Sequence, residues 1–215
     1  MDQFASVFGK AGSLMRLDCR SLEFKYFPFD PKGYKLVLLN SQVKHELASS
    51  AYNDRRKSCE NVVAAMKKHW PNVDSLRDAT YDMLDEVRPE VSEEDALRAK
   101  YVIGEKYRVL EVCVALEEGD YEEVGKKMYE THYGLSKEYE VSCPELDFLN
   151  DVAHSCGVTG SRIMGGGFGG CTINLVSDDL YANFIETAKK AYKEKFGKEP
   201  IVIDVVIGDG SRKLC

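Results

Sequence analysis

Residues 161–176, SRIMGGGFGGCTINLV, hold five glycines within the six positions 165–170. The glycines follow a short apolar stretch, Ile163 and Met164, and precede a run from Cys171 to Val176 that has the residue pattern of a β-strand. This context predicts a turn between two strands. Because glycine loses more conformational entropy on folding than other residues, so many in one turn indicate positive φ angles or a close approach of another group to the backbone.

Several kinds of glycine-rich loop are compared with this turn. Gly165, Gly167 and Gly170 match the letters G-x-G-x-x-G, but a dinucleotide-binding turn opens a helix, and here β-branched, strand-like residues follow. The phosphate loop of ATPases requires a Lys-Ser or Lys-Thr pair, which is absent after these glycines. A glycine-rich hairpin that serves only tight packing stays open as an alternative to a binding site.

Composition and charge exclude several classes of protein. With 29 basic and 36 acidic residues among 215, the net charge is −7, and no basic stripe follows a predicted helix, which argues against a nucleic-acid or anionic-membrane surface. The seven cysteines show no C-x-x-C spacing, and no two histidines or cysteines have metal-ligand spacing. No apolar run approaches the roughly 20 residues of a membrane span. We therefore expect a cytoplasmic protein with reduced thiols and no metal site built from its own residues.

Hydrophobic periodicity and turn residues predict an α+β fold. Strands are predicted at 14–19, 23–29, 35–40, 161–164, 171–176 and 201–207, and helices at 51–70, 75–87, 92–118, 120–139, 145–156 and 178–196. The last four strands form an antiparallel-rich sheet with helices packed on one face, compatible with a ferredoxin-like domain enlarged by a helical insertion. A boundary near residue 31 divides the chain into a remnant of a neighbouring domain, 1–31, and the main domain, 32–215.

Four separated blocks carry a family resemblance. They are MDQF at 1–4, NSQVKHELASSAYNDRR at 40–56, EVSCPELD at 140–147 and GSRIMGGGFGGCT at 160–172. In this order they resemble successive blocks of the galactokinases, which belong to the GHMP group of small-molecule kinases. The resemblance spans essentially all of the chain. It implies a ferredoxin-like C-terminal GHMP kinase domain, preceded by a remnant of the N-terminal domain.

The resemblance also implies a reaction and its substrates. Galactokinases phosphorylate the 1-hydroxyl of galactose with ATP and Mg²⁺ to give galactose 1-phosphate. Two blocks of the family pattern, G-R-x-N-L-I-G-E-H-x-D-Y for the sugar and a Gly-Leu-Ser-Ser-Ser loop for the ATP phosphates, do not occur in this sequence. The chain thus resembles the C-terminal part of the enzyme, beginning at an internal methionine of the family pattern, and we expect it to be inactive alone because no loop holds the triphosphate.

The resemblance assigns roles to residues at the matched positions. Asp2 matches the aspartate that accepts the proton of the sugar 1-hydroxyl, and Tyr52 matches the tyrosine that hydrogen-bonds the sugar. Gly165, Gly166, Gly167, Gly169 and Gly170 match a hairpin that lines the active site. Without the resemblance, Asp2 is typical of a frayed chain end and Tyr52 of a half-buried aromatic residue. Arg55 and Arg56 are equally typical of a solvated helix face, and we assign them no catalytic role.

Two other functions fit the same blocks. One is a galactokinase-like sensor that binds sugar and nucleotide without catalysis, and the other is a kinase for N-acetylgalactosamine. Retention of Asp2, Tyr52 and the whole glycine hairpin favours the enzyme over the sensor. The YNDRR sequence at 52–56 favours galactose over the amino sugar.

Overall fold

The structure is a computed structural model that describes residues 2–44 and 48–212. In chain order its elements are helix α1 (Asp2–Phe8), strands β1 (Ser13–Leu17), β2 (Phe24–Pro28) and β3 (Tyr34–Asn40), helices α2 (Ala48–His69), α3 (Tyr81–Val87), α4 (Glu93–Glu118), α5 (Tyr121–Tyr133) and α6 (Pro144–Ser155), strands β4 (Gly160–Ile163) and β5 (Cys171–Ser177), helix α7 (Asp178–Phe196) and strand β6 (Ile201–Val205). A π-helical turn, Gly134–Glu138, extends α5. All six predicted strands form, each with ends within two residues of the prediction.

The main sheet has the strand order of a ferredoxin-like domain. Its strands lie in the order β4-β5-β3-β6, and every neighbouring pair is antiparallel. Along the chain the pattern is β3, helices, β4, β5, α7, β6, in which α6 takes the place of the first crossover helix and α2 to α5 form the insertion. The α+β, ferredoxin-like class with a helical insertion is therefore confirmed.

The two faces of the main sheet are covered differently. Val37 and Val176 point to the face on which α6 and α7 pack, where Phe184 and Tyr192 are fully buried. On the opposite face, Leu175 packs with residues of α4 and α5 and with the β1–β2 pair. The expectation that helices cover one face is thus incomplete, because the long helices of the insertion reach the other face as well.

Helices α4 and α5 lie antiparallel, as their two-residue connection predicts. Ser92 caps α4 by accepting from the Asp95 amide at 3.0 Å, and Asp120 caps α5 by accepting from the Glu123 amide at 2.9 Å. Between the caps, Gly119 ends α4 in the left-handed conformation with φ +72°. The sequence predicted these boundaries because capping depends on neighbours along the chain.

Helix α3 begins later than predicted. The expected start at Ser75 is wrong, since the first helical residue is Tyr81 and the Thr80 hydroxyl caps the helix by accepting from the Met83 amide at 3.3 Å. Ser75 instead belongs to a turn in which the Asp78 carboxylate accepts from its amide at 3.1 Å. The Asp78 side chain, three residues later in the chain, thus satisfies the Ser75 amide without a helix.

A second, two-stranded sheet lies near the amino terminus. Strands β1 and β2 pair only with each other among the described residues, and α1 lies beside them through a ring contact of 5.2 Å between Phe4 and Phe24. The proposed domain boundary near residue 31 falls between this pair and β3. None of the described helices is long and apolar enough to cross a lipid bilayer.

Candidate functional site

The glycine turn, residues 164–170, joins β4 to β5 as a hairpin. At its base, the Met164 amide donates to the Cys171 carbonyl at 2.9 Å. Positive φ angles occur at Gly165 (76°), Gly167 (83°), Gly169 (133°) and Gly170 (81°), and Phe168 joins them at 58°. The predicted need for left-handed backbone is confirmed, and it explains why side chains with a Cβ atom are largely excluded here.

Other segments of the chain press directly against three of these glycines. A Cβ atom at Gly166 would lie 2.5 Å from the Tyr52 hydroxyl, and one at Gly169 would lie 2.7 Å from the Val43 carbonyl oxygen. At Gly167 a Cβ atom would overlap the Val141 carbonyl oxygen, whereas at Gly165 it would meet open space. The close approach predicted from the glycines is therefore made, in part, by the protein's own backbone and by Tyr52.

Hydrogen bonds hold the turn from two sides. From the end of β3, the Ser41 amide and hydroxyl donate to the Gly170 carbonyl at 2.9 and 2.8 Å. From the segment before α6, the Val141 carbonyl accepts from the Phe168 amide at 2.5 Å. Since both partners are themselves buried, the turn has little freedom to move relative to the sheet.

Tyr52 lies at the turn, as the resemblance implies. Its hydroxyl is 3.4 Å from the Gly167 carbonyl oxygen, to which it donates, and its ring meets the Phe168 ring edge-on at 5.2 Å. Burial raises the pKa of the Tyr52 phenol, so the hydroxyl stays protonated at neutral pH. A neutral phenol both donates and accepts hydrogen bonds, which suits it to a sugar hydroxyl.

Arg55 is a residue of this site that the sequence did not single out. Its side chain is 13% exposed, and it donates from Nε to the Tyr139 carbonyl at 2.8 Å and from Nη2 to the Glu140 carbonyl at 2.6 Å. Arg56, by contrast, is 78% exposed and pairs with Glu60 on its own helix. Spacing puts both arginines near the Tyr52 face of α2, but spacing cannot tell which one is buried.

The block 140–147 forms the scaffold beneath the turn. Asp147 accepts from the Ser136 hydroxyl at 2.9 Å and from the Ser142 hydroxyl, and its carboxylate lies 3.3 Å from His132 Nε2. Burial alone would raise the pKa of Asp147, but hydrogen bonds from His132, Ser142 and Ser136 outweigh it and lower the pKa to about 2. The carboxylate is ionised at neutral pH and ties α5, the following turn and α6 together.

The predicted catalytic residue Asp2 lies in the amino-terminal helix. It is the first residue of α1 and is exposed, and its backbone carbonyl accepts from the Ser6 hydroxyl at 2.9 Å. Across residues 2–44 and 48–212, no hydrogen bond joins Asp2 to Tyr52 or to the glycine turn. The structure thus brings Tyr52 and the glycines together, and the role of Asp2 stays a prediction.

A cavity in the described part of the chain lies outside the glycine turn. In the part of the chain that the structure describes, no group of three or more His, Cys, Asp or Glu side chains is arranged to hold a metal ion. A mostly apolar cavity of about 410 Å³ lies between the β1–β2 pair, α4, α5 and the main sheet, with Arg108 and Arg162 among its lining residues. Neither Tyr52 nor the turn glycines line this cavity, so it is separate from the candidate site.

Comparison with known proteins agrees with the geometry. Residues 113–194 match the family model described as GHMP kinases C terminal. The chain is 41% identical to the galactokinase of Clostridium beijerinckii and 41% identical to that of Homo sapiens, with all of this chain but 55% and 53% of those proteins covered. The chain therefore spans about half the length of the curated relatives it matches.

Solved structures extend this result. A crystal structure of Lactococcus lactis galactokinase complexed with galactose superposes with a TM-score of 0.91 and 30% identity, covering 98% of this chain and 55% of that one. Mevalonate kinase of L. major, at 20% identity and a TM-score of 0.57, shares the fold alone. The similarity predicted from four sequence blocks is confirmed along essentially the whole chain.

Proposed function

We propose that this chain, which carries a GHMP kinase C-terminal domain, is the C-terminal part of an ATP-dependent galactokinase. The observation that supports this most strongly is the superposition on a galactose-bound galactokinase over 98% of the chain. Tyr52 lies against the glycine turn in this fold, as the matched blocks of those enzymes imply. We place the enzyme in the cytoplasm, in line with the free thiols of the six cysteines that the structure describes.

The proposed reaction assigns a task to each matched residue. The 1-hydroxyl oxygen of galactose forms a bond to the γ-phosphorus of ATP, the bond from that phosphorus to the bridging oxygen breaks, and ADP leaves. The hydroxyl proton passes to the Asp2 carboxylate, which also orients the hydroxyl for in-line attack. Tyr52 hydrogen-bonds the sugar, and the glycine turn forms the adjoining wall of the site. Much of the rate gain comes from positioning, because phosphoryl transfer is largely dissociative.

The nucleotide and its metal ion are proposed to depend on other residues. Mg²⁺ accompanies ATP in such reactions, but the described residues offer no cluster of metal ligands, so we derive no step through it from this chain. The phosphate-holding Gly-Leu-Ser-Ser-Ser block is absent from the sequence. We therefore expect the isolated chain to form no galactose 1-phosphate from galactose and ATP.

A hybrid protein tests the proposal. The part of Clostridium beijerinckii galactokinase that precedes the aligned region is joined to Met1 of this chain, and formation of galactose 1-phosphate is measured with galactose and with N-acetylgalactosamine. We expect activity on galactose, lowered at least about a hundredfold by Asp2→Asn because the proton acceptor is lost. Asp30→Asn, at another exposed aspartate, serves as the matched control and should leave the rate unchanged.

Two results would contradict the proposal. A hybrid that is folded by circular dichroism yet transfers no phosphate to galactose would exclude the catalytic assignment. A hybrid that prefers N-acetylgalactosamine would move the chain to the amino-sugar kinases. Turnover by the isolated 215-residue chain would instead show that the residues present suffice to hold ATP.

A further inference from the structure

We propose that Arg55 is a positioning residue, which sets the place of the glycine turn by holding the backbone of residues 139–141. The kinetic consequence of this role rests on the proposed function, but the structural consequence does not. The inference comes from one continuous set of contacts that runs from Arg55 to the backbone of residues 139–141, from there to Phe168, and from Phe168 to Tyr52.

The first contacts fix residues 139–141. Arg55 donates to two consecutive carbonyls, those of Tyr139 and Glu140, at 2.8 and 2.6 Å. Glu140 has φ +53°, a conformation that non-glycine residues seldom adopt unless their surroundings hold them there. Arg98 adds a second anchor, since its Nη2 atom donates to the Glu140 carboxylate at 3.0 Å. Two arginines from different helices therefore hold this bend.

The bend at residues 139–141 fixes the position of the glycine turn. The next residue, Val141, presents its carbonyl to the Phe168 amide at 2.5 Å and leaves no space for a Cβ atom at Gly167. A shift of the Val141 carbonyl would break this hydrogen bond or collide with the turn. The position of the turn therefore follows that of residues 139–141.

Arg55 also faces the turn directly. Its guanidinium group lies 5.7 Å from the centre of the Phe168 ring, within the range of a cation–π interaction. The same ring also contacts Tyr52, whose ring centre is 5.2 Å away. Phe168 thus contacts both Arg55 and Tyr52, which lie three residues apart on α2.

A lysine at position 55 could not make all of these contacts. A guanidinium group offers several N–H donors in a fixed plane, so one side chain can reach two carbonyls and stack on a ring, while an ammonium group is a compact charge without that geometry. Arg56 carries the same group one position later, is 78% exposed and pairs with Glu60 on its own helix. It is a matched control for charge, size and helix position.

Hydrogen exchange measured by mass spectrometry on the 215-residue chain tests the structural consequence of this role. In Arg55→Met we expect peptides that cover residues 164–171 to exchange at least about tenfold faster, because hydrogen bonds from a charged donor are lost and the Phe168 amide opens more often. Peptides of α7 should keep their rates. Arg55→Lys should recover part of the protection, and Arg56→Met should match the unchanged chain.

The outcomes separate positioning from general stability. Unchanged exchange in residues 164–171 of Arg55→Met would overturn the proposal. An equal increase in every peptide, including α7, would also overturn it, because Arg55 would then support only the whole fold. If Arg55→Met does not fold, the same comparison is made with Arg55→Lys, for which a rate equal to that of the unchanged chain would refute the role.

The hybrid enzyme tests the kinetic consequence of this role. We expect Arg55→Met to raise KM for galactose about tenfold and to change KM for ATP little, because Arg55 acts through the turn beside Tyr52. Arg56→Met should change neither. Faster exchange at the turn in a hybrid that lacks activity would refute the proposed function and leave the positioning role standing. Normal kinetics and normal exchange in Arg55→Met would refute the positioning role alone.

Discussion

The glycine turn and helix α1 both hold residues assigned to one site, yet their surroundings differ greatly. The turn contacts β3, α2 and the segment before α6, and Gly167 and Gly169 are buried. Helix α1 has seven residues, none of them buried. Its contacts with the rest of the chain include the ring contact between Phe4 and Phe24 and a hydrogen bond from the Ser211 amide to the Ser6 carbonyl at 2.8 Å. Local stability should therefore be high at the turn and low at α1.

This difference separates two ways of forming a site. Tyr52 and the turn are placed by packing within the chain, so their geometry exists before any substrate arrives. Asp2 belongs to a helix too short to be stable by itself and with little buried surface. A productive position for Asp2 therefore needs further contacts, which the proposed hybrid would supply.

The largest expected effect is at Gly167. Substitution by alanine should lower the free energy of unfolding of the chain by about 3 kcal/mol, since a left-handed φ of 83° is combined with overlap on the Val141 carbonyl. Gly165→Ala is the matched control, because Gly165 has a similar φ of 76° but a Cβ atom there would meet open space. For this variant we expect a loss of about 1 kcal/mol in the free energy of unfolding. Urea denaturation measures both. Equal losses of stability in the two variants would show that crowding by the Val141 carbonyl does not contribute to the effect at Gly167.

The next effect concerns the ring of Tyr52. Tyr52→Ala should cost about 2 kcal/mol in urea denaturation, because a half-buried ring and its edge contact with Phe168 are removed. Tyr52→Phe keeps the ring and loses only a hydroxyl whose hydrogen bond to Gly167 is long, at 3.4 Å, so less than about 0.5 kcal/mol is expected. A large loss in Tyr52→Phe would instead assign the stability to the hydroxyl.

A pH effect should come from Asp147. Its pKa in the folded chain is about 2, below the value of 3.8 for a free aspartate, so its contribution to stability is fully present above about pH 4 and is lost as the pH falls towards 2. Allowing for partial exposure of the carboxylate, we expect about 1 kcal/mol. The measurement is the stability difference between the unchanged chain and Asp147→Asn, followed from pH 5 to pH 2. A difference that is constant with pH would contradict this expectation.

The smallest effect is expected at Asp2. Asp2→Asn should change the free energy of unfolding by no more than about 0.5 kcal/mol, because an exposed carboxylate in a first helical turn gains only a weak interaction with the helix dipole. The same substitution should nearly abolish activity in the hybrid. A loss above about 1 kcal/mol would mean that Asp2 has a structural partner, and the contrast with the turn would then fail.

Several features of the fold could be predicted because they depend on neighbours along the chain. Ser92 and Asp120 cap their helices as expected, and Gly119 and Gly157 end helices with positive φ. The start of α3 could not be predicted in this way. There, the Asp78 carboxylate satisfies the Ser75 amide and is itself held by Arg20, which is distant in sequence.

The sequence by itself determined that residues 164–170 form a glycine-rich turn between two strands, and the family resemblance predicted that Tyr52 belongs to the same site. Backbone conformation follows from local sterics, and periodicity follows from burial along one element, so both can be read from neighbouring residues. Only the tertiary structure decided which groups contact the turn and that Arg55 rather than Arg56 is buried. The Tyr52–Gly167 and Arg55–Tyr139 hydrogen bonds join residues 115 and 84 positions apart, and such contacts arise from how whole elements pack.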